Sequence, residues 1–180
     1  MNFQLDAMSV PMPDVVGHPN RLPFRGVLTL VGVASQRSPS GARGHRVMLT
    51  RAATETALPS LLGMALDYAP SLDAHDARRK IGIITQADIL PLPQSRASGP
   101  IGQIAIAGYL FAHDFPDVVE EIRSHSASAL GMSYEIANAT VPNQEARIWT
   151  VTDFTFTGAA VLRRDKAAYP QTWIALATSN

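Results

Sequence analysis

The chain has 180 residues, enough for one domain with one sizeable core. Hydrophobic residues make up 46% of the sequence and charged residues 17%, which is typical of a globular protein rather than a disordered one. Fifteen basic residues balance fifteen acidic ones, so no nucleic-acid partner is expected. The absence of cysteine excludes disulfides, thiolate catalysis and zinc–thiolate sites.

The start of the chain predicts neither a signal peptide nor a membrane anchor. The stretch MNFQLDAMSVPMPD has no basic start and no long apolar run. No apolar segment of the sequence approaches the roughly 18 residues that a membrane-spanning helix needs, so no membrane partner is expected. Residues 1–24 are rich in proline and predict a flexible N-terminal arm, followed by a single domain at 25–180.

Two strands and a helix are predicted at the start of this domain. Residues 26–35 are rich in valine and leucine and are bounded by glycine, which predicts a strand. The segment RVMLT predicts a short strand or a strand end. A helix is predicted from Thr50, a capping residue, because alanine and leucine recur at spacings of three and four. Pro59 should kink this helix or split it.

The middle of the chain alternates loops, strands and one helix. The loop APSLDAHDARRK carries His75 and leads into a predicted strand at 81–90, and a further strand is predicted at 101–112. Asp114 is predicted to cap a helix that has Pro116 in its first turn.

The last third of the chain is mostly extended. The segment GMSYEIANATV predicts a strand that begins close to Ser133. Residues 147–162 predict one long strand, or two strands with a bend at Gly158. The tail predicts a short helix or an extended end. Strands therefore outnumber helices, and the fold is expected to be mainly β.

Histidine is the first residue type to consider for catalysis. No pair of the five histidines has the spacing of a helical metal site, and no His-Glu-x-x-His motif occurs, so no metal is predicted. His75 stands on a loop just before an apolar strand, where rigid scaffolds present catalytic groups. A merely structural role for His75 stays open at this point.

Ser133 is the matching candidate for a nucleophile. The sequence around it is not the Gly-x-Ser-x-Gly elbow, because Glu135 stands where that motif requires glycine, and no Ser-x-x-Lys motif fits either. Serine needs a base to become a nucleophile, and the remote His75 is the available one.

The order of these motifs resembles that of the prohead serine proteases of tailed phages, which are distantly related to the assemblins of herpesviruses. The matching segments cover roughly residues 26–170 and are LPSLLGMALDY, AHDARRKIGII, IAIAGYLFAHDFPDVVEEI, ALGMSYEI and WTVTDFTFTGAAVL. The separation of 58 residues between His75 and Ser133 (133 − 75) is also similar to the usual gap in that family.

The resemblance implies a role for each matching residue. Ser133 would be the catalytic nucleophile and His75 the general base. The third member, which orients the imidazole, is usually acidic in the phage enzymes, and Asp153 on the long predicted strand is the candidate. An alternative register places the acidic position near Thr157, which would leave the triad incomplete or completed elsewhere.

Two further positions bear on the resemblance. Arg163 and Arg164 stand where the herpesvirus relatives place two arginines, and imply that the Arg163 backbone N–H and the Arg164 side chain hold the oxyanion. A solvated basic turn is the alternative for this pair. Glu135 departs from a glycine that many family members have two residues after the serine, and on an alternating strand it points the same way as Ser133.

The resemblance implies an assemblin-like α+β fold, mainly β: a closed or nearly closed, mostly antiparallel β-barrel flanked by helices. It implies a serine endopeptidase that needs no cofactor. Its substrates would be the phage major capsid protein, the scaffold protein and itself, during prohead maturation. The enzyme would act inside the immature capsid in the host cytoplasm, or in the bacterial cytoplasm if prophage-encoded, and a homo-oligomer is possible. The alternatives are a catalytically inactive, protease-like capsid assembly component and an unrelated β-barrel binding module.

Overall fold

A computed structural model describes residues 8–13, 15–92, 101–126 and 128–177. Within these ranges the chain forms ten strands: β1 Met8–Ser9, β2 Leu22–Val31, β3 Arg46–Leu49, β4 Ala65–Tyr68, β5 Lys80–Pro91, β6 Gly102–Leu110, β7 Leu130–Thr140, β8 Ile148–Val151, β9 Asp153–Arg163 and β10 Trp173–Leu176. The same ranges contain two α-helices and a short 3₁₀ helix: α1 Arg51–Ala57, the 3₁₀ helix Leu58–Leu61 and α2 Pro116–Ser124.

Most of the strands form one sheet in the order β10–β2–β6–β5–β4–β9–β7, with β1 added to β5. Its strands pair antiparallel except β4 with β9, and a separate parallel pair joins β3 and β8. The sheet curls into a half-barrel, so that Met132 of β7 lies against Gly26 of β2. The prediction of a mainly β fold is confirmed. No ladder joins the two ends of the sheet in the part of the chain that the structure describes.

The sheet has a core face and an opposite face, which we call the outer face. On β7, Met132 and Tyr134 pack on the core side, opposite Val161 and Ala159 of β9. Successive strand residues point to opposite faces, so the residues between them lie on the outer face. The core face is covered by α1, the 3₁₀ helix and α2 through apolar side chains, among them Ala53, Ala57, Leu58, Leu61, Val118, Val119 and Ile122.

The helix predictions are confirmed at Thr50 and wrong at Asp114. Thr50 is the N-cap of α1, where its hydroxyl accepts a hydrogen bond from the Ala53 amide at 3.3 Å. Pro59 lies in the 3₁₀ helix that follows α1, so the helical segment is split as predicted. The N-cap of α2 is Phe115, without a side-chain hydrogen bond, and Asp114 instead accepts from the side chain of Asn20 at 2.7 Å. Neither α-helix in the described ranges has the length and apolar character needed to cross a membrane.

Several strands differ from the sequence-based expectation. The strand β4 is not predicted from the sequence, because Ala65 continues the alanine and leucine spacing that predicts the helix from Thr50. The long predicted strand at 147–162 is divided into β8 and β9 at Thr152, not at Gly158. The predicted N-terminal arm contributes β1 where it is described, while residues 1–7 lie outside the described residues. The proposed boundary after residue 24 stays a prediction.

Gly108 of β6 is paired with Phe24 of β2 on one side and with Ile84 of β5 on the other. A Cβ atom there would collide with the backbone carbonyl oxygen of Ile83 and approach the ring of Phe24 to 3.0 Å. Gly108→Ala is therefore expected to lower the free energy of unfolding by about 1–3 kcal/mol, as overpacking does, measured by denaturant titration. Gly158→Ala is the matched control, because its Cβ would mainly meet the movable carboxylate of Glu135. Equal losses in the two variants would contradict this account.

Candidate active site

Asp67 on β4 is the central residue of the site. Its neighbours Leu66 and Tyr68 belong to the hydrophobic core, so strand alternation places Asp67 on the outer face. His75, from the loop 69–79 between β4 and β5, lies over it, and the Asp67 side chain has 0% exposure to solvent. A carboxylate buried to this extent is costly unless it has compensating partners.

A row of residues crosses four strands on the outer face. Asp67 is opposite Lys80 of β5 on one side and opposite Ala160 of β9 on the other. Ala160 is in turn opposite Ser133 of β7. Two strand spacings of about 4.8 Å therefore separate the Asp67 and Ser133 backbones, with only the small Ala160 side chain between them. The register of the sheet brings Ser133 onto the same surface as Asp67.

Glu135 reaches into this surface from β7. It lies two residues beyond Ser133 and opposite Gly158, so both side chains of β7 face outward. A Cβ atom on Gly158 would lie 2.5 Å from Oε2 of Glu135. Glycine at position 158 thus leaves the space across which the Glu135 carboxylate extends toward His75.

His75 is held by acids through one ring nitrogen. Its Nδ1 lies 3.0 Å from Oε1 of Glu135, a hydrogen-bond distance, and 3.8 Å from Oδ2 of Asp67. The Nε2 atom makes no hydrogen bond to any residue that the structure describes. With Glu135 accepting from Nδ1–H, the lone pair is on Nε2, which is the tautomer of a general base. The imidazole is about one quarter exposed, so a ligand can reach it.

Lys80 supplies the second positive group of a cluster of four side chains, formed by Asp67, His75, Lys80 and Glu135. Its Nζ lies 3.5 Å from Oδ2 of Asp67 and 4.0 Å from Oε2 of Glu135. The other carboxylate oxygen of Asp67, Oδ1, is buried and has no hydrogen-bond partner among the described residues. The cluster therefore retains unused acceptor capacity at its most buried point.

The cluster shifts the pKa values of its members. Burial would lower the pKa of His75, but its contact with the Asp67 carboxylate and the charge of Glu135 outweigh burial and raise it. Burial would raise the pKa of Asp67, but the close side chains of His75 and Glu135 and the charges of His75 and Lys80 outweigh burial and lower it. Burial, followed by the neighbouring Asp67, raises the pKa of Glu135. Asp67 is thus the acid that keeps its charge, and Glu135 is the first to take up a proton.

The two arginines lie close to the strand that carries Ser133. The Arg163 amide donates to the Leu72 carbonyl at 2.7 Å and so ties the turn after β9 to the loop that carries His75. This N–H is therefore engaged within the fold and is not presented to an oxyanion. The Arg164 amide donates to Ala129 at 2.8 Å, and its Nε lies 3.4 Å from the carbonyl oxygen of Leu130, three residues before Ser133.

The structure does not bring Asp153 to His75. Asp153 is exposed at the far end of β9, opposite Thr140 and seven residues before Ala160 (160 − 153). At about 3.3 Å per residue this places its backbone more than about 20 Å from the row that contains Ser133. The alternative position near Thr157 is next to Gly158, at the level of the cluster. The acidic side chain at this level of the sheet is Glu135, which lies on the neighbouring strand β7.

Asp67 and Glu135 carry little functional signal in the sequence alone. Asp67 belongs to β4, a strand that the sequence pattern does not predict, and it is buried between the core residues Leu66 and Tyr68. Glu135 was correctly placed on the same face as Ser133, but it was treated as a departure from a family pattern. Its partner His75 is 60 residues away in sequence, a contact that only the register of the sheet reveals.

Comparison of the chain with protein-family models, with curated proteins and with solved structures finds no match. The functional interpretation therefore depends on the geometry of the cluster and on the motif order of the sequence.

Removing the charge of Asp67 is expected to lower the pKa of His75. The anion stabilises the imidazolium form, so Asp67→Asn should favour the neutral ring. The pKa can be followed by NMR titration of the His75 ring protons in the two proteins. Asp153→Asn is the control and should leave the titration unchanged, because Asp153 lies far from the ring. An unchanged or higher pKa for His75 in Asp67→Asn would contradict the proposed arrangement.

Proposed function

We propose that the chain is a serine endopeptidase of the prohead-protease type. One observation carries the proposal: acids hold Nδ1 of His75 on the sheet surface that also carries Ser133, while Nε2 has no described partner. A base with one nitrogen fixed by an acid and the other available is the arrangement that activates a serine hydroxyl. The curled, mostly antiparallel sheet and the motif order of the sequence are consistent with an assemblin-like fold.

In the proposed reaction, the Ser133 hydroxyl attacks the scissile carbonyl and passes its proton to Nε2 of His75. The imidazolium that forms is stabilised by Asp67 and Glu135, which take the role predicted for Asp153. His75 then returns the proton to the leaving amine, and water releases the acyl group from Ser133 by the reverse proton transfers.

The Ser133 hydroxyl makes no hydrogen bond to His75 in this structure, nor to another described residue. Catalytic hydrogen bonds are often long or poorly aligned without substrate and become shorter when substrate binds. The lack of a hydrogen bond between Ser133 and His75 is therefore compatible with the mechanism. Ser133 itself is half-buried, and Glu135 two residues away is hydrogen-bonded to the base. Binding of a substrate segment would bring the Ser133 hydroxyl and Nε2 of His75 together.

Arg164 is the remaining candidate for stabilising the oxyanion. Its guanidinium is close to the start of β7, whereas the Arg163 amide is donated to Leu72 and its side chain pairs with Asp165. A cation aimed at the position where negative charge develops lowers the barrier of acyl transfer. We therefore assign this role to the Arg164 side chain alone.

The biological setting follows from the motif order. We propose that the substrates are the major capsid protein and the scaffold protein of a phage, together with the enzyme's own chain. The site of action would be the immature capsid in the host cytoplasm, or the bacterial cytoplasm for a prophage-encoded copy. Self-association would hold several copies of the enzyme inside one particle.

The second candidate function is a catalytically inactive, protease-like component of capsid assembly. It is favoured by the engagement of the Arg163 amide with Leu72 and by the absence of a described partner for the Ser133 hydroxyl. In that case the acid–histidine cluster would serve only to fix the loop 69–79 on the sheet.

Co-expression with the cognate capsid and scaffold proteins separates the two functions. The wild-type chain is expected to generate defined fragments of these partners, detected by intact mass, and Ser133→Ala should reduce their formation more than about 1000-fold. Ser126→Ala, an exposed serine ahead of β7, is the matched control and should cleave like wild type. Identical fragments from wild type and Ser133→Ala, or none from either in assembled particles, would contradict the enzyme and leave the assembly component.

A further inference from the structure

The cluster that orients His75 also has the composition of a metal site. Asp67, His75 and Glu135 each offer one donor atom, and these three atoms lie within 4.8 Å of one another. Atoms bound tetrahedrally to one Zn²⁺ at about 2.0–2.2 Å lie about 3.3–3.6 Å apart. Nδ1 of His75 is already 3.0 Å from Oε1 of Glu135 and 3.8 Å from Oδ2 of Asp67, so the side chains need to move by at most about 1.5 Å to share one ion.

A second observation also points to a ligand. The Asp67 carboxylate has 0% exposure, and its Oδ1 has no hydrogen-bond partner in the described ranges. Buried carboxylate oxygens are normally satisfied by hydrogen-bond donors or by a cation. The ammonium of Lys80 approaches only the other oxygen, Oδ2, at 3.5 Å. A positive ion that binds both oxygens of the Asp67 carboxylate, together with His75 and Glu135, would also give Oδ1 a partner.

Lys80 is the present counter-cation and hence the competitor for such an ion. Its side chain is about one third exposed and reaches the cluster from the rim at β5. A long lysine side chain can withdraw its ammonium into solvent while its methylene groups stay in place. Withdrawal of one positive charge would leave two carboxylates and a neutral imidazole, which is a net charge of −2.

We propose that Asp67, His75 and Glu135 bind a divalent transition-metal cation of the zinc class, and that the bound ion switches off Ser133. One imidazole with two carboxylates suits Zn²⁺ better than Mg²⁺, which prefers oxygen donors and retains water. The binding claim stands on the cluster alone, and the regulatory claim rests on the proposed protease function.

The inactivation of Ser133 by the metal follows from the coupled states of the two ring nitrogens of His75. The metal takes the lone pair of Nδ1 and replaces the hydrogen bond to Glu135, so the proton of a neutral ring must reside on Nε2. Nε2 then donates instead of accepting and cannot take the proton of Ser133. Metal binding and base catalysis by His75 are thus mutually exclusive states of the same side chain.

The binding claim is tested by isothermal titration of metal-free Ser133→Ala protein, which cannot cleave itself, with ZnCl₂, and by the visible absorption of bound Co²⁺. One site is expected. Adding Glu135→Gln or Asp67→Asn should weaken the Zn²⁺ affinity more than about 100-fold. This is a larger loss than the 10- to 100-fold that is typical when a group that only hydrogen-bonds to a metal ligand is removed. Lys80→Met should tighten it, because the competing cation is gone, and Asp153→Asn should leave it unchanged.

Absence of Zn²⁺ binding, or binding that both Asp67→Asn and Glu135→Gln leave intact, would overturn the metal site. Two ligand variants are needed because the substitution of a buried acid can disturb folding, which circular dichroism would reveal. The Lys80→Met result provides a check that does not depend on removing a ligand. Weaker binding in Lys80→Met would also contradict the competition between the ammonium and the ion.

The regulatory claim is tested by cleavage of the capsid and scaffold proteins with metal-free wild-type enzyme. Zn²⁺ is expected to abolish cleavage with the midpoint found by titration, and EDTA should restore it. Full cleavage at saturating Zn²⁺, or cleavage that requires Zn²⁺, would overturn the switch. No cleavage by the metal-free enzyme would overturn the switch together with the proposed function, while the binding claim would still be decided by titration alone.

Discussion

The burial of one carboxylate, that of Asp67, constrains the rest of the site. Asp67 projects from the middle of the sheet on the face opposite the main core, and it is closed off from solvent. A buried anion is tolerated only with nearby positive charge and hydrogen bonds, so the loop that carries His75 and the first residue of β5, Lys80, must both come to it. The loop is further fixed by the bond between Arg163 and Leu72.

The same constraint explains why the neighbouring acid differs from Asp67. Burial, followed by the negative charge of Asp67, raises the pKa of Glu135, whereas His75 and Lys80 lower the pKa of Asp67 against the effect of its own burial. Glu135 orients the imidazole through the hydrogen bond to Nδ1, and the Asp67 carboxylate stabilises the imidazolium form. Gly158 is the small residue that makes this convergence possible, because a side chain there would occupy the space of the Glu135 carboxylate.

The predictability of this molecule from its sequence has a clear physical limit. The strands rich in β-branched residues and the cap at Thr50 are local features, and they were predicted to within a few residues. His75 and Ser133 are predicted as catalytic residues from the order of the sequence motifs, and these roles stay predictions. Asp153 lies far from His75 because Ser133 pairs with Ala160, which is seven residues farther along β9 (160 − 153). No local pattern encodes that register.

The proposed protease activity and the proposed metal binding would share the imidazole of His75. The Nδ1 atom of His75 is the meeting point of Glu135 and Asp67, and whatever binds there decides the state of Nε2. A proton on Nδ1 leaves Nε2 free to act as a base, whereas a metal ion would remove that ability. In the proposed mechanism, the group bound at Nδ1 therefore decides whether Nε2 can accept the proton of Ser133.

The central claim, that His75 activates Ser133, is tested most directly by labelling the metal-free protein with a fluorophosphonate and locating the adduct by peptide mass spectrometry. Such reagents phosphonylate a serine only when a base raises its nucleophilicity. The account predicts a single adduct on Ser133 in the wild-type chain and none on that residue in His75→Ala. No adduct on Ser133 in the folded wild-type protein, or equal labelling of Ser133 in His75→Ala, would contradict it.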